Sequence, residues 1–209
     1  MRDEDLRLLG WMRLARCPRC GPRHALSVAA RVGDVTRIVA ARPGFAPPAD
    51  IEPTLWRQLT GRSLGNAVRD ELSRLRGLGW TPIHREDPFY PPLLLESSSA
   101  PPVVMVRGDL DSLLRPAVAV VGTRRPTRYG VNMARRLAGG LARRGVAVVS
   151  GLAHGIDGAA HRSVVELGGS TIAVMGTGPD RIYPSHHRDL AEEILRTGAL
   201  VTELPPGSP

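Results

Sequence analysis

Val146-Ala147-Val148-Val149-Ser150-Gly151-Leu152-Ala153-His154-Gly155-Ile156-Asp157 is the stretch that decides the fold. A short apolar, β-branched run passes into a glycine-bearing turn and then into a helical pattern. The same grammar occurs on either side. Ala117–Val121 leads into Gly122-Thr123-Arg124-Arg125, and Thr171–Met175 leads into Gly176-Thr177-Gly178-Pro179-Asp180. Runs that are apolar throughout suit buried parallel strands. Between and after them the pattern predicts helices over 129–144, 157–167 and 185–197, with a last strand over Ala199–Thr202. Strict alternation of this kind gives right-handed crossovers and a parallel sheet flanked by helices, an α/β, Rossmann-like fold. Turns at the carboxyl ends of parallel strands form the crevice where such folds bind ligands, and helix N-termini there favour anions.

Upstream the character changes. Residues 1–80 read as a small all-helical domain, with helices over 5–15, 24–32, 35–41, 54–59 and 64–76. The third is stopped by Pro43-Gly44, and Gly77-Leu78-Gly79 caps the last. Residues 81–116 form an extended, proline-rich entry segment with short strands at 80–84 and 103–107. The segment Pro88–Pro102 is too dense in proline for a sheet centre. The Rossmann-like domain then occupies 117–209. A parallel sheet ending at Thr202 predicts an open apolar edge there.

All 28 basic residues are arginine, and the formal net charge is +8. With no lysine, a Walker A phosphate loop and Schiff-base catalysis are excluded. Arginine instead offers a planar fork for phosphate oxygens and a face for stacking on bases. Residues 1–84 hold 14 Arg against 8 acidic residues, and residues 85–209 hold 14 against 12. That balance fits a polyanionic partner, and it fits solubility alone equally well. No apolar run is long enough for a membrane span, and the acidic start Met1-Arg2-Asp3-Glu4-Asp5 does not read as a secretory signal. The expectation is a cytoplasmic protein with no membrane partner.

Other candidate chemistry is weak. Cys17-Pro18-Arg19-Cys20, with His24 four residues on, lacks the second half of a zinc site, so two small buried residues in a turn are expected and no metal. Ser150, Asp157, His154 and His161 share one short stretch, but no GxSxG elbow is present. Asp157 reads better as a helix N-cap than as a catalytic group. His186-His187 reads as a surface pair. Gly176-Thr177-Gly178 starts like a dinucleotide fingerprint, yet position 181 is Arg where the third glycine is needed. No cofactor is expected.

The residues from Val118 to Pro206 resemble the DNA-processing protein A (DprA, also called Smf) family. The matching pieces are Val120-Val121-Gly122-Thr123-Arg124, Val149–Asp157, Ala160-His161, Ile172–Gly178, Tyr183-Pro184 and Glu203-Leu204-Pro205-Pro206-Gly207. Tyr90–Leu94 and Pro102–Asp109 match upstream. The resemblance implies a non-enzymatic Rossmann-like domain that binds single-stranded DNA during natural transformation. It further implies protection of the strand, help in loading the recombinase RecA, and a homodimer. By position, Arg124 is then the main phosphate ligand, with Gly122, Thr123 and Arg125 on the same turn. Ser150, Gly151, Gly155, Gly176 and Gly178 line the neighbouring pocket. Two departures stand out. The family continues past Pro-Pro-Gly into a Phe-Pro-x-Arg-Asn-Arg stretch, further strands and often a winged helix, so the domain is expected to be shortened. The family's Tyr-Pro-x-x-Asn is here Tyr183-Pro184-Ser185-His186-His187. Two alternatives stay open: a nucleotide-binding or nucleotide-hydrolysing enzyme resembling the lonely-guy proteins, although their Pro-Gly-Gly-x-Gly-Thr string is absent, and a non-functional truncated paralogue. The Gly21-Pro22-Arg23 turn is similar to a helix-hairpin-helix contact, which would put binding in the helical domain.

Overall fold

The structure, a computed structural model, describes residues 2–41 and 46–209. The stop expected at Pro43-Gly44 lies outside the described residues. Two compact units divide the chain: Met1–Gly77 with Pro82–Val104, and Leu78–Thr81 with Met105–Pro209.

In the first unit the helices are α1 (Asp3–Arg16), α2 (Pro22–Val32), α3 (Thr36–Ala40), α4 (Pro53–Thr60) and α5 (Arg62–Gly77). Leu9, Met12 and Leu14 of α1 are buried, as are Ile38, Leu59 and Leu75, so α1 contributes its apolar side chains to the core of this unit. One polar residue sits inside that core. The Arg13 guanidinium donates to the carbonyls of Ile38 and Leu59, at 3.3 and 2.9 Å, near the C-terminal ends of α3 and α4. A cation there satisfies carbonyls left over by both helices and meets the negative ends of their dipoles. Burial, and secondarily Arg69, lowers the Arg13 pKa from its ordinary value. Arg16 on α1 holds Glu71 on α5 through both carboxylate oxygens. Cys17 and Cys20 are free and buried, joined by a turn in which the Cys20 amide donates to the Cys17 carbonyl. The segment expected to be extended contains a helical turn, α6 (Pro92–Leu95), because Pro91 and Pro92 preset the first-turn geometry, and a 3-10 turn at Leu110–Leu114. The Tyr90 hydroxyl pins it by donating to the Pro101 carbonyl.

The strands are β1 (Thr81–His84), β2 (Val103–Gly108), β3 (Ala117–Ala119), β4 (Ala147–Ser150), β5 (Thr171–Val174) and β6 (Ala199–Thr202), ordered β1-β2-β6-β5-β4-β3. In the second unit β3 to β6 are parallel, with Val118 opposite Val148, Val149 opposite Ile172, and Ala173 opposite Leu200. Helices α7 (Arg128–Ala142), α8 (Ile156–Val165) and α9 (Arg188–Ile194) make the crossovers. The α/β, Rossmann-like architecture is therefore present. Small residues bring α7 and α8 close over the sheet: Ala138, Val148, Ala160 and Val164 form a buried cluster, flanked by Val120, Leu141 and Ala142.

The sheet departs from the expectation in one respect. It is mixed, because β2 runs antiparallel to β6 with Met105 opposite Thr202 and Gly108 opposite Ala199. The predicted open edge at β6 is thus closed, its outward amides and carbonyls being paired by a strand from earlier in the chain. The 185–197 helix also begins late: Ser185–His187 is a 3-10 turn, and the α-helix ends at Ile194.

Candidate nucleic-acid interface

Three loops meet at the carboxyl ends of β3, β4 and β5. The first carries Gly122, Thr123, Arg124 and Arg125, all exposed. It is a tight turn held from within, since the Thr123 hydroxyl accepts from the Arg125 amide and the Thr123 carbonyl accepts from the Ile156 amide. Thr127 then caps α7 by accepting from the Gly130 amide at 3.1 Å. Gly122 and Gly155 let the first two loops touch. A Cβ on Gly122 would sit 2.7 Å from Cγ1 of Ile156, and one on Gly155, whose φ is +84°, would run into the Thr123 carbonyl oxygen. Only glycine accommodates both demands at position 155.

The cations of this turn are unspent. Arg124, Arg125 and Arg128 are exposed, and among the described residues none meets a carboxylate or a carbonyl acceptor. By contrast Arg135 on α7 is paired with Glu166 at 2.6 Å, and Arg107 with Glu192 at 3.5 Å. The amides of Gly122, Thr123 and Arg124 likewise find no acceptor among the described residues. Unpaired amides, guanidinium groups and the N-terminal end of a 15-residue helix converge on one exposed strip. Tyr129, in the first turn of α7, and Tyr183, on the loop after β5, have 73% and 57% of their surface exposed. Each offers an aromatic face.

The other predicted residues divide. Gly155 joins the rim, and Gly176 lies open on the third loop, with no atom near its missing Cβ. Ser150 is buried, its hydroxyl donating to the Val120 carbonyl at 2.6 Å, so it ties β4 to the first loop instead of facing outward. The Gly151 amide donates to Asp157, and the Gly178 amide to the Ser208 carbonyl. These three residues sit beneath the rim as its scaffold. Asp157 is not the N-cap expected; Gly155 holds that position. The Asp157 carboxylate accepts from the Gly151 and Ala153 amides, at 3.2 and 3.4 Å, and so fixes the loop before the helix. His187 is also corrected: it is buried, with Nδ1 donating to the Leu152 carbonyl. The helical unit has a cavity of about 980 Å³ lined by Arg13, Trp56, Asn66 and Arg69. No His, Cys, Asp and Glu grouping suited to a metal ion occurs among the described residues, nor a helix long and apolar enough to cross a membrane.

The sheet order and the crossovers place the second unit among the Rossmann-like α/β proteins. More specifically, the chain belongs to the DNA recombination-mediator protein A family, whose model matches residues 81–209. It is 46% identical over 127 residues to protein Smf of Synechocystis, covering 59% of this chain and 32% of that protein. It is 40% identical over 121 residues to DNA processing protein DprA of Streptococcus pneumoniae, covering 58% and 43%. The X-ray structure of the pneumococcal protein superposes with a TM-score of 0.69 at 27% identity, over 94% of this chain and 67% of that one. DNA processing protein A from Helicobacter pylori, described for its single-stranded DNA binding mode, gives 0.53 at 28% identity, over 62% and 58%. The chain spans about a third of the length of the Smf proteins of Synechocystis and Escherichia coli.

Proposed function

We propose that this chain binds single-stranded DNA, without sequence preference and without catalysis, along the rim formed by Gly122–Arg128, Gly155 and Gly176. The observation that carries the reading is the trio Arg124, Arg125 and Arg128, exposed and unpaired at the start of α7. Arg124 and Arg125 bind phosphate oxygens, the amides of Gly122 and Thr123 add donors, and Tyr129 and Tyr183 offer stacking faces. A shallow strip suits an extended strand, whereas a small substrate is ordinarily enclosed. Against an enzyme stand the groups that could have done chemistry. The Ser150 hydroxyl is given to the Val120 carbonyl, and Oδ2 of Asp157 is taken by the Gly151 and Ala153 amides, while its Oδ1 is buried without a partner among the described residues. On the family resemblance, strand protection in DNA processing, transfer of the strand to RecA and self-association belong to the same proposal.

The test is fluorescence anisotropy of a labelled oligo-dT and a duplex of equal length at two salt concentrations. The expected result is a preference for the single strand and affinity that falls as salt rises, by about 0.7 log units per log unit of salt for each phosphate neutralised. Equal or tighter binding of the duplex overturns the reading.

A further inference from the structure

Three histidines meet on the rim, from the loop after β4 and the 3-10 turn before α9. The ring centroids lie 4.2 Å apart for His154 and His186, 4.5 Å for His186 and His187, and 5.7 Å for His154 and His187. His187 is the anchor. A carbonyl can only accept, so its 2.9 Å bond to Leu152 puts a proton on Nδ1 and fixes the ring. His154 and His186 are exposed, and neither ring has a hydrogen-bond partner among the described residues. Through Gly155, which packs on the Thr123 and Arg124 backbone, His154 adjoins the arginine turn.

The electrostatic surroundings are one-sided. Burial chiefly lowers the His187 pKa, and His186, Arg162 of α8 and His154 each add to this in the same direction. His161 of α8 lies buried beneath, under the influence of His187. The nearest carboxylate on α8, Asp157, is turned to the Gly151 and Ala153 amides. Arg188 and Asp189, which open α9, are exposed, and no carboxylate pairs with any of the three rings among the described residues. Two imidazoles this close repel when both are charged, and among the described residues no carboxylate is paired with either ring to offset that charge.

We propose that His154 and His186 form a second phosphate subsite on the rim, which a phosphodiester of the bound strand fills together with proton uptake. The inference rests on the strand-binding reading above. An anion bound at the edges of both rings offsets the repulsion and favours their charged form. By reciprocity, acidification tightens strand binding, and strand binding takes up protons. Arginine keeps its charge throughout this range, so the response to pH isolates the imidazoles.

The experiment measures oligo-dT affinity at pH 8.0 and 6.0 at constant ionic strength, for the unaltered chain, the double variant His154→Gln/His186→Gln, and Arg124→Ala, with circular dichroism to verify folding at both pH values. The unaltered chain is expected to bind about tenfold tighter at pH 6.0. The double variant should change less than twofold between the two, while Arg124→Ala, weaker overall, keeps the tenfold ratio. The same pH ratio in the double variant, or none in the unaltered chain, overturns the subsite and leaves the strand reading standing. Absence of binding at either pH overturns both. Calorimetry of the unaltered chain in two buffers of different ionisation enthalpy provides a reading independent of the substitutions, and zero proton uptake there also refutes the subsite.

Discussion

Gly155 shows how a single residue sets the rim. Its φ of +84° and the closeness of the Thr123 carbonyl leave no room for a side chain, while Ile156, the next residue, fills the space over Gly122. Gly155→Ala is therefore expected to destabilise the fold by about 1–3 kcal/mol, the cost of a strained backbone residue, and urea unfolding measures it. An unchanged midpoint would mean that the two loops are not wedged together as described. Sequence reading found this turn because glycine, serine and aspartate after an apolar run are local signals. It misassigned Asp157, since a carboxylate near a helix start can serve its own helix or the preceding loop, and only the path of residues 151–155 decides which. His187 was misread for a similar reason: its burial depends on Leu152, 35 residues away.

At the scale of elements, the crossovers β3-α7-β4-α8-β5 were legible because each strand is short, apolar and followed by glycine. The partner of β2 was not. Val103–Gly108 reads as a strand wherever it pairs, and its antiparallel place beside β6 depends on contacts nearly a hundred residues away. Helix α7 carries the rim's dipole, and Thr127 is its cap. Thr127→Ala leaves the Gly130 amide without its acceptor, so a loss of about 1 kcal/mol is expected in denaturant unfolding. A loss well below that would show that the α7 N-terminus is satisfied in another way.

For the molecule as a whole, pH governs stability through a buried imidazole. Burial, helped by His187, lowers the His161 pKa to about 4 from an ordinary 6.5. Its Nδ1 must be the donor to Thr171, whose own hydroxyl proton is already given to the Val148 carbonyl. Because the folded pKa is depressed, the unfolded chain binds the extra proton between these values. Stability is intact above pH 6.5 and falls as the pH drops toward 4, by about 3 kcal/mol in all. Unfolding curves across that window should show the slope, and His161→Gln should flatten it. Persistence of the full slope in the variant would assign it to other groups.

The central claim is that the strand lies on the arginine turn of the α/β unit, and the net charge of +8 cannot decide this, since arginine is spread over both units. Arg124→Ala and Arg23→Ala separate the possibilities: the first removes a guanidinium from the rim, the second one from the Gly21-Pro22-Arg23 turn of the helical unit. In oligo-dT anisotropy at fixed salt, Arg124→Ala is predicted to weaken binding about tenfold, as expected for one charged contact of ~1.5 kcal/mol, with Arg23→Ala close to unaltered. Full affinity in Arg124→Ala with the loss confined to Arg23→Ala would contradict the account and move the interface to the helices.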